Sequence, residues 1–180
     1  FKKNGVEHIQ GHAYILSGND GLNPCKVEVR EATGDYYNGN GSNVLETVTA
    51  DRVLIATGAK PRELPFAQCD GNNIINSSDA MTLSERPESL IIIGSGAIGM
   101  EFAYVYNAFG TKVTIIEMLD RILPAEDDEI SKLALRAFKK QGMAIHTGAA
   151  VQSVETNDSG VSVTFADVND ESKVQTENGD

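Results

Sequence analysis

The alternation of apolar and polar positions changes character near residue 89. Before it, β-branched and apolar residues come in short runs broken by turn formers. "VEHIQGHAYIL", "CKVEVRE" and "TVTADRVLIATGA" each read as strands, the last carried through residues 52–58. The Gly- and Asn-rich "ATGDYYNGNGSN" predicts a hairpin loop between the second and third. "KPRELPFAQCDGNN", with two prolines and a D-G pair, predicts a connector. In "SSDAMTLSERP", Ser77 or Ser78 is placed to cap a short helix that must end before Pro87.

From residue 89 the period lengthens to that of a helix between continuous apolar runs. "LIIIG" has no polar alternation, as expected of a strand buried on both faces. "AIGMEFAYVYNAFG" predicts a helix closed by Gly110, and "KVTIIE" a second strand. In "EDDEISKLALRAFKKQG", acids occupy the first turn, Lys139 and Lys140 the last, and Gly142 the stop. Its spacing puts Ile130, Leu133, Ala134, Ala137 and Phe138 on the core face. "MAIHT", "AVQSVE" and "VSVTF" follow as short strands, the last two joined by a hairpin turn at "TNDSG". Strand–helix–strand–helix–strand is the order of a parallel α/β unit, here continued by an antiparallel meander.

Composition narrows the partners. With 41% hydrophobic residues in 180, the chain can bury a core. A net charge of −11, with Lys and Arg clustered no further than Lys2-Lys3 and Lys139-Lys140, leaves no footprint for a phosphate backbone, so nucleic acid is not an expected partner. No apolar run approaches the roughly 20 residues of a bilayer span, and no membrane partner is expected. The start, "FKKNGVEHIQ", has neither an initiator Met nor a signal-peptide core, which suggests an excised segment. Cys25 and Cys69 show no metal-ligand or C-x-x-C spacing, which fits a reducing compartment. No metal site is expected.

The chemistry concentrates in "LIIIGSGAIGMEFA". Gly94, Gly96 and Gly99 have the spacing G-x-G-x-x-G, directly after a buried strand and at the opening of a helix, and Glu117 ends the next strand. The first glycine serves the tight turn, the second lets a pyrophosphate approach the backbone, and the third lets the helix pack against the sheet. Amides and the dipole at the helix start, over Ser95, Ala97 and Ile98, would hold the phosphates. Glu117 can accept from both ribose hydroxyls of an adenosine, and its charge repels a 2′-phosphate, which predicts NAD rather than NADP. This signature alone also fits a methyltransferase or a non-enzymatic nucleotide sensor.

Upstream residues separate these. "ADRVLIATGAKPRELP" resembles the segment that closes the FAD domain of flavoproteins with two dinucleotide folds, ending in an Ala-Thr-Gly. With "SSDAMTLSERPESLIIIGSGAIGMEFAYVYNAFGTKVTIIEMLDRILPAEDDEISK" it resembles the middle of the pyridine nucleotide-disulfide oxidoreductases, most closely the dihydrolipoamide dehydrogenase branch. The resemblance implies an α/β, Rossmann-like NAD-binding domain over 76–180, lacking its closing strand. The β-rich tail of an FAD-binding domain precedes it over 1–75. In that family dihydrolipoamide reduces an enzyme disulfide, electrons pass to FAD, and FAD passes hydride to NAD⁺. The resemblance assigns Glu101 to the nicotinamide carboxamide, Ile98 to the nicotinamide and flavin, Met118 to the position beside Glu117, Val151 to the adenine, and Thr57 and Gly58 to the flavin nucleotide. For Glu101 a helix-surface acid in the first turn, and for Ile98 and Val151 core packing, are the readings without it. It also implies lipoyl groups of a 2-oxo-acid dehydrogenase complex and a second subunit as partners, in the cytoplasm or, in a eukaryote, the mitochondrial matrix.

The chain departs from that family in having no second G-x-G-x-x-G, no C-x-x-x-x-C and no H-x-x-x-x-E. The segment is therefore expected to bind NAD but not to catalyse the whole reaction, and no catalytic residue is assigned. His8, His12 and His146 fall on strand positions without a carboxylate at triad-like spacing and read as structural. A glutathione- or mercuric-reductase-like enzyme is the nearest alternative, though those usually carry arginines where this chain has Glu117 and Met118. An NAD-binding sensor module is another. Finally, "NGVEHIQGHAYI" parallels "QGMAIHTGAAVQ", as expected of a doubled nucleotide-binding fold. The first copy continues to "RVLIATG", which suggests 52–58 as a surrogate closing strand, in this copy or another.

Overall fold

The computed structural model describes residues 1–32, 41, 43–158 and 160–180, which form two compact units, Phe1–Ala59 and Lys60–Asp180. The first is an antiparallel sheet in the order β1 (His12–Ser17), β2 (Cys25–Arg30), β3 (Val44–Ala50). Val27 is flanked by Ile15 and Val48, Cys25 and Val29 are buried, and Arg30 lies over the Tyr14 ring. Most of the expected loop "ATGDYYNGNGSN" falls outside the described residues.

Two strand expectations in this unit need correction. The first strand begins at His12 rather than Val6. Residues 52–58 form no strand: they join no ladder among the described residues, and Leu54 is 90% exposed. An apolar run becomes a strand only against a partner edge, and β3 has already ended at Ala50.

In the second unit a parallel sheet runs β4 (Ser89–Ile93), β5 (Lys112–Ile116), β6 (Ala144–His146) in consecutive order. The short α1 (Ser77–Ala80) precedes it, α2 (Ala97–Ala108) links β4 to β5, and α3 (Asp128–Lys140) links β5 to β6. The antiparallel meander β7 (Ala149–Asn157), β8 (Gly160–Asp167), β9 (Asp170–Gly179) follows. Strand alternation sorts the apolar run "LIIIG" between two cores. Leu90 and Ile92 pack with Met100, Ala103 and Tyr106 of α2 and with Val113 and Ile115 of β5. Ile91 and Ile93 instead pack with Ile116, Ala149, Val163 and Phe165 on the meander side. Each of these β4 side chains is half-buried, so the strand contributes to both cores at once.

Several local expectations shift. The cap of α1 is Asn76, whose side chain accepts from Ser78 and Asp79 while Asp79 reaches back to the Asn76 amide. On α3 the packed face is Ser131, Ala134, Leu135 and Phe138, whereas Ile130, Leu133 and Ala137 face solvent. On the packed face the Ser131 hydroxyl donates to the Leu123 carbonyl at 3.2 Å. β9 was not expected at all. Its mostly polar residues pair along β8, from Asp170 opposite Asp167 to Gly179 opposite Val161. Beyond it, the Asp180 carboxylate accepts from the Glu88 and Ser89 amides and the Ser89 hydroxyl at the start of β4, at 2.6, 3.1 and 2.9 Å. Among the described residues no helix is long and apolar enough to cross a membrane.

Candidate functional site

At the end of β4 the chain turns through Gly94 with φ 101°, a left-handed conformation that disfavours any side chain. Its amide still donates to Ile116 at 2.9 Å, so the turn starts without loosening the sheet. Gly99, in the first turn of α2, comes close to the same point: a Cβ there would lie 2.2 Å from the Gly94 carbonyl oxygen. Gly96 is the N-cap of α2 and supplies no side-chain acceptor to the helix, and a Cβ on it would meet nothing within 4 Å. The first-turn amides of α2 therefore open onto a free concavity with no carboxylate in that turn.

Ser95 is turned inward. It is 0% exposed, and its amide and hydroxyl both donate to Glu117 Oε2 at 2.7 Å. The Leu119 amide donates to Oε1 at 2.8 Å. The Glu117 backbone is held as well, its amide donating to His146 at 2.8 Å and its carbonyl accepting from Ala149 at 2.9 Å. The residue is 8% exposed. Burial pushes the carboxyl up, but the bonds from Leu119 and Ser95, with the nearby Met118 amide, together outweigh it and hold Glu117 below its ordinary value. The site thus sets an ionised acceptor beside a helix start that offers free donors, a pairing suited to a ligand with an anionic group next to hydroxyls.

The remaining expected residues distribute around this centre. Ala97 and Ile98 are exposed at the helix start, and Met118 is exposed beyond Glu117. An apolar cavity of about 410 Å³ is lined by Gly94, Gly96, Ile98, Ile91, Leu64 and Ile74, among others. Glu101 is exposed on the second turn of α2 rather than the first. Val151 packs half-buried against the meander core. Thr57 and Gly58 belong to the first unit, where both are exposed and Gly58 has φ 76°.

Sequence reading did not single out the Leu119 amide or Leu123, since their roles are carried by the backbone. Leu123 adopts φ 48°, rare for a bulky residue, and its amide donates to the Ser95 carbonyl at 2.8 Å. His146 does have a carboxylate neighbour, Glu177 at 3.8 Å, supplied by the unexpected β9, and its ring lies 5.0 Å from that of Phe165. Cys25 is buried, Cys69 exposed, and both are free thiols. Among the described residues no group of three His, Cys, Asp or Glu could hold a metal ion.

Residues 13–178 match the model of a family described as pyridine nucleotide-disulphide oxidoreductase. The chain belongs to this family. Pyridine nucleotide-disulphide oxidoreductases use FAD and NAD, in line with the expected cofactors. Among curated members, the chain is 37% identical over 165 residues to a dihydrolipoyl dehydrogenase of Chlorobaculum tepidum, covering 87% of this chain and 34% of that protein. It is 39% identical over 152 residues to a dihydrolipoyl dehydrogenase of Bacillus subtilis, covering 82% and 32%. Among solved structures, LpdA of Mycobacterium tuberculosis superposes with a TM-score of 0.76 at 31% identity, covering 99% of this chain and 36% of that one. The chain therefore spans about a third of the length of these relatives. The expected α/β, Rossmann-like fold is that of the family.

Proposed function

We propose that this chain is the NAD-binding portion of a flavoprotein disulfide oxidoreductase of the dihydrolipoamide dehydrogenase type. In this reading residues 1–75 form the closing part of an FAD domain and 76–180 the NAD domain. The observation that carries it is the ionised, buried Glu117 beside the uncapped start of α2. The residues fit the dinucleotide: Gly96 leaves open the volume a pyrophosphate needs, and the amides at Ala97 and Ile98 are the donors for it. Glu117 accepts from the adenosine ribose and Met118 lies alongside, with Val151 toward the adenine. The apolar cavity at Ile98 gives the other end an apolar wall, and Glu101, one turn further along α2, takes the carboxamide. Thr57 and Gly58 serve the FAD. When bound, NAD⁺ supplies the hydride acceptor for reduced flavin, and the chain's own residues bind it and orient it. Lipoyl groups of a 2-oxo-acid dehydrogenase complex and a second subunit are the partners in this reading. Its compartment is the cytoplasm, or the mitochondrial matrix of a eukaryote.

Fluorescence titration with NADH and NADPH tests this, with FAD as a third ligand. The chain should prefer NADH and bind FAD weakly, since only one pyrophosphate loop is present in it. Glu117→Arg should weaken NADH and favour NADPH, moving the ratio of affinities by roughly 10- to 100-fold. An unchanged ratio removes Glu117 from the site, and tight FAD binding overturns the domain assignment.

A further inference from the structure

Ser95 occupies a position in the glycine loop where its backbone would ordinarily be enough. Here the side chain is enclosed, and it has one partner: Glu117 Oε2, which also receives the Ser95 amide. With Leu119 on Oε1, three donors fix both oxygens of one carboxylate. The third polar group of Ser95, its carbonyl, takes the Leu123 amide and so ties the segment after β5 to the same residue. Every hydrogen-bonding group of Ser95 is therefore directed into the protein and none toward the concavity at Gly96.

We propose that Ser95 is a positioning residue for coenzyme selectivity: it contacts no part of the dinucleotide and acts by locking the Glu117 carboxylate in place. This role rests on Glu117 being the ribose acceptor. A carboxylate selects against a 2′-phosphate only if it stays ionised and cannot swing aside. Two donors on Oε2 prevent rotation about the terminal torsion, which is otherwise broad for Glu. They also favour the charged form against the cost of burial. The Oε1 lone pair not used by Leu119 is left for a ribose hydroxyl. Without the hydroxyl of Ser95, Oε2 keeps one donor, the side chain gains freedom, and discrimination between the two coenzymes weakens.

The test uses the 180-residue chain and three variants. Ser95→Ala should lower NADH affinity about three- to tenfold while leaving NADPH affinity within about twofold, because a freed Glu117 side chain has to be ordered again on binding. By carbon-13 NMR of labelled glutamate, the Glu117 carboxyl of this variant should titrate higher than in the parent chain. Ser95→Thr, which retains the hydroxyl, should restore both readouts. Ser95→Cys, close in volume to serine with a weaker donor, should fall between and serves if the alanine variant fails to fold. An affinity ratio and a Glu117 titration unmoved in the variants that fold overturn the role of Ser95. If Glu117→Arg shifts the ratio and Ser95→Ala does not, only the positioning role falls. If Glu117→Arg also leaves it unmoved, the ribose reading falls, and this inference with it.

Discussion

Replacing Glu117 with glutamine preserves shape and removes charge, which isolates what the carboxylate contributes to folding. Glutamine has one acceptor oxygen where Glu117 uses two, on Oε2 for Ser95 and on Oε1 for Leu119. If the amide oxygen faces Ser95, the amide nitrogen faces the Leu119 N–H, donor against donor; the flipped amide meets the Ser95 N–H in the same way. One buried donor is left unpaired in either orientation, at about 1–3 kcal/mol, and the bonds that survive lose their ionic partner. A net loss of about 2–3 kcal/mol is expected, or roughly 6–15 °C in melting temperature for a unit of this size. The difference should depend on pH. Because the Glu117 carboxyl is held below the ordinary 4.5, its ionised form favours the folded state. That contribution is complete above about pH 4.5 and is lost as the pH falls through the folded value, so the gap between parent and variant should narrow on acidification. Calorimetric melts from pH 7 down to pH 3.5 measure it. A variant as stable as the parent at pH 7, or a gap that widens in acid, would refute this account of the site.

Gly99→Ala should cost about 1–3 kcal/mol, read as a lower melting temperature, because its Cβ would meet the Gly94 carbonyl at 2.2 Å and the backbone must part. Leu54→Lys should leave the melting temperature within about 2 °C, since the side chain is 90% exposed in the first unit; a large drop would show that 52–58 is covered.

What could be read from the chain followed how locally each feature is encoded. The glycine turn, α2, α3 and the buried strands are written in adjacent residues, and the structure places Gly94 in the turn and Gly99 in the close packing that their spacing implies. The orientation of α3 was not legible, because Ile130 and Leu133 outrank Ser131 on any hydrophobic scale. The inward Ser131 bonds Leu123, a left-handed residue in the preceding loop, a partner that periodicity does not reveal. β9 was missed because an outer meander strand with one face in solvent needs few apolar residues. Conversely, 52–58 has the residues of a strand but pairs with no strand among the described residues. At the site, Glu117 was visible from its place after an apolar run. The inward turn of Ser95 was not, since serine between two glycines carries no sign of where its hydroxyl points.

The junction of Asp180 with Ser89 has a kinetic meaning. It joins residues 91 apart in the chain, and closing a loop of that length costs about 4 kcal/mol of entropy before any contact repays it. Strand β4 meets β5 across a far shorter separation, through α2. The parallel sheet and its helices can thus assemble early from neighbouring pieces, whereas the base of β4 is fastened only once the meander has paired to its outer strand. This fastening is among the longest-range contacts of the unit, and the glycine loop at the other end of β4 is built on a strand whose foot waits for it.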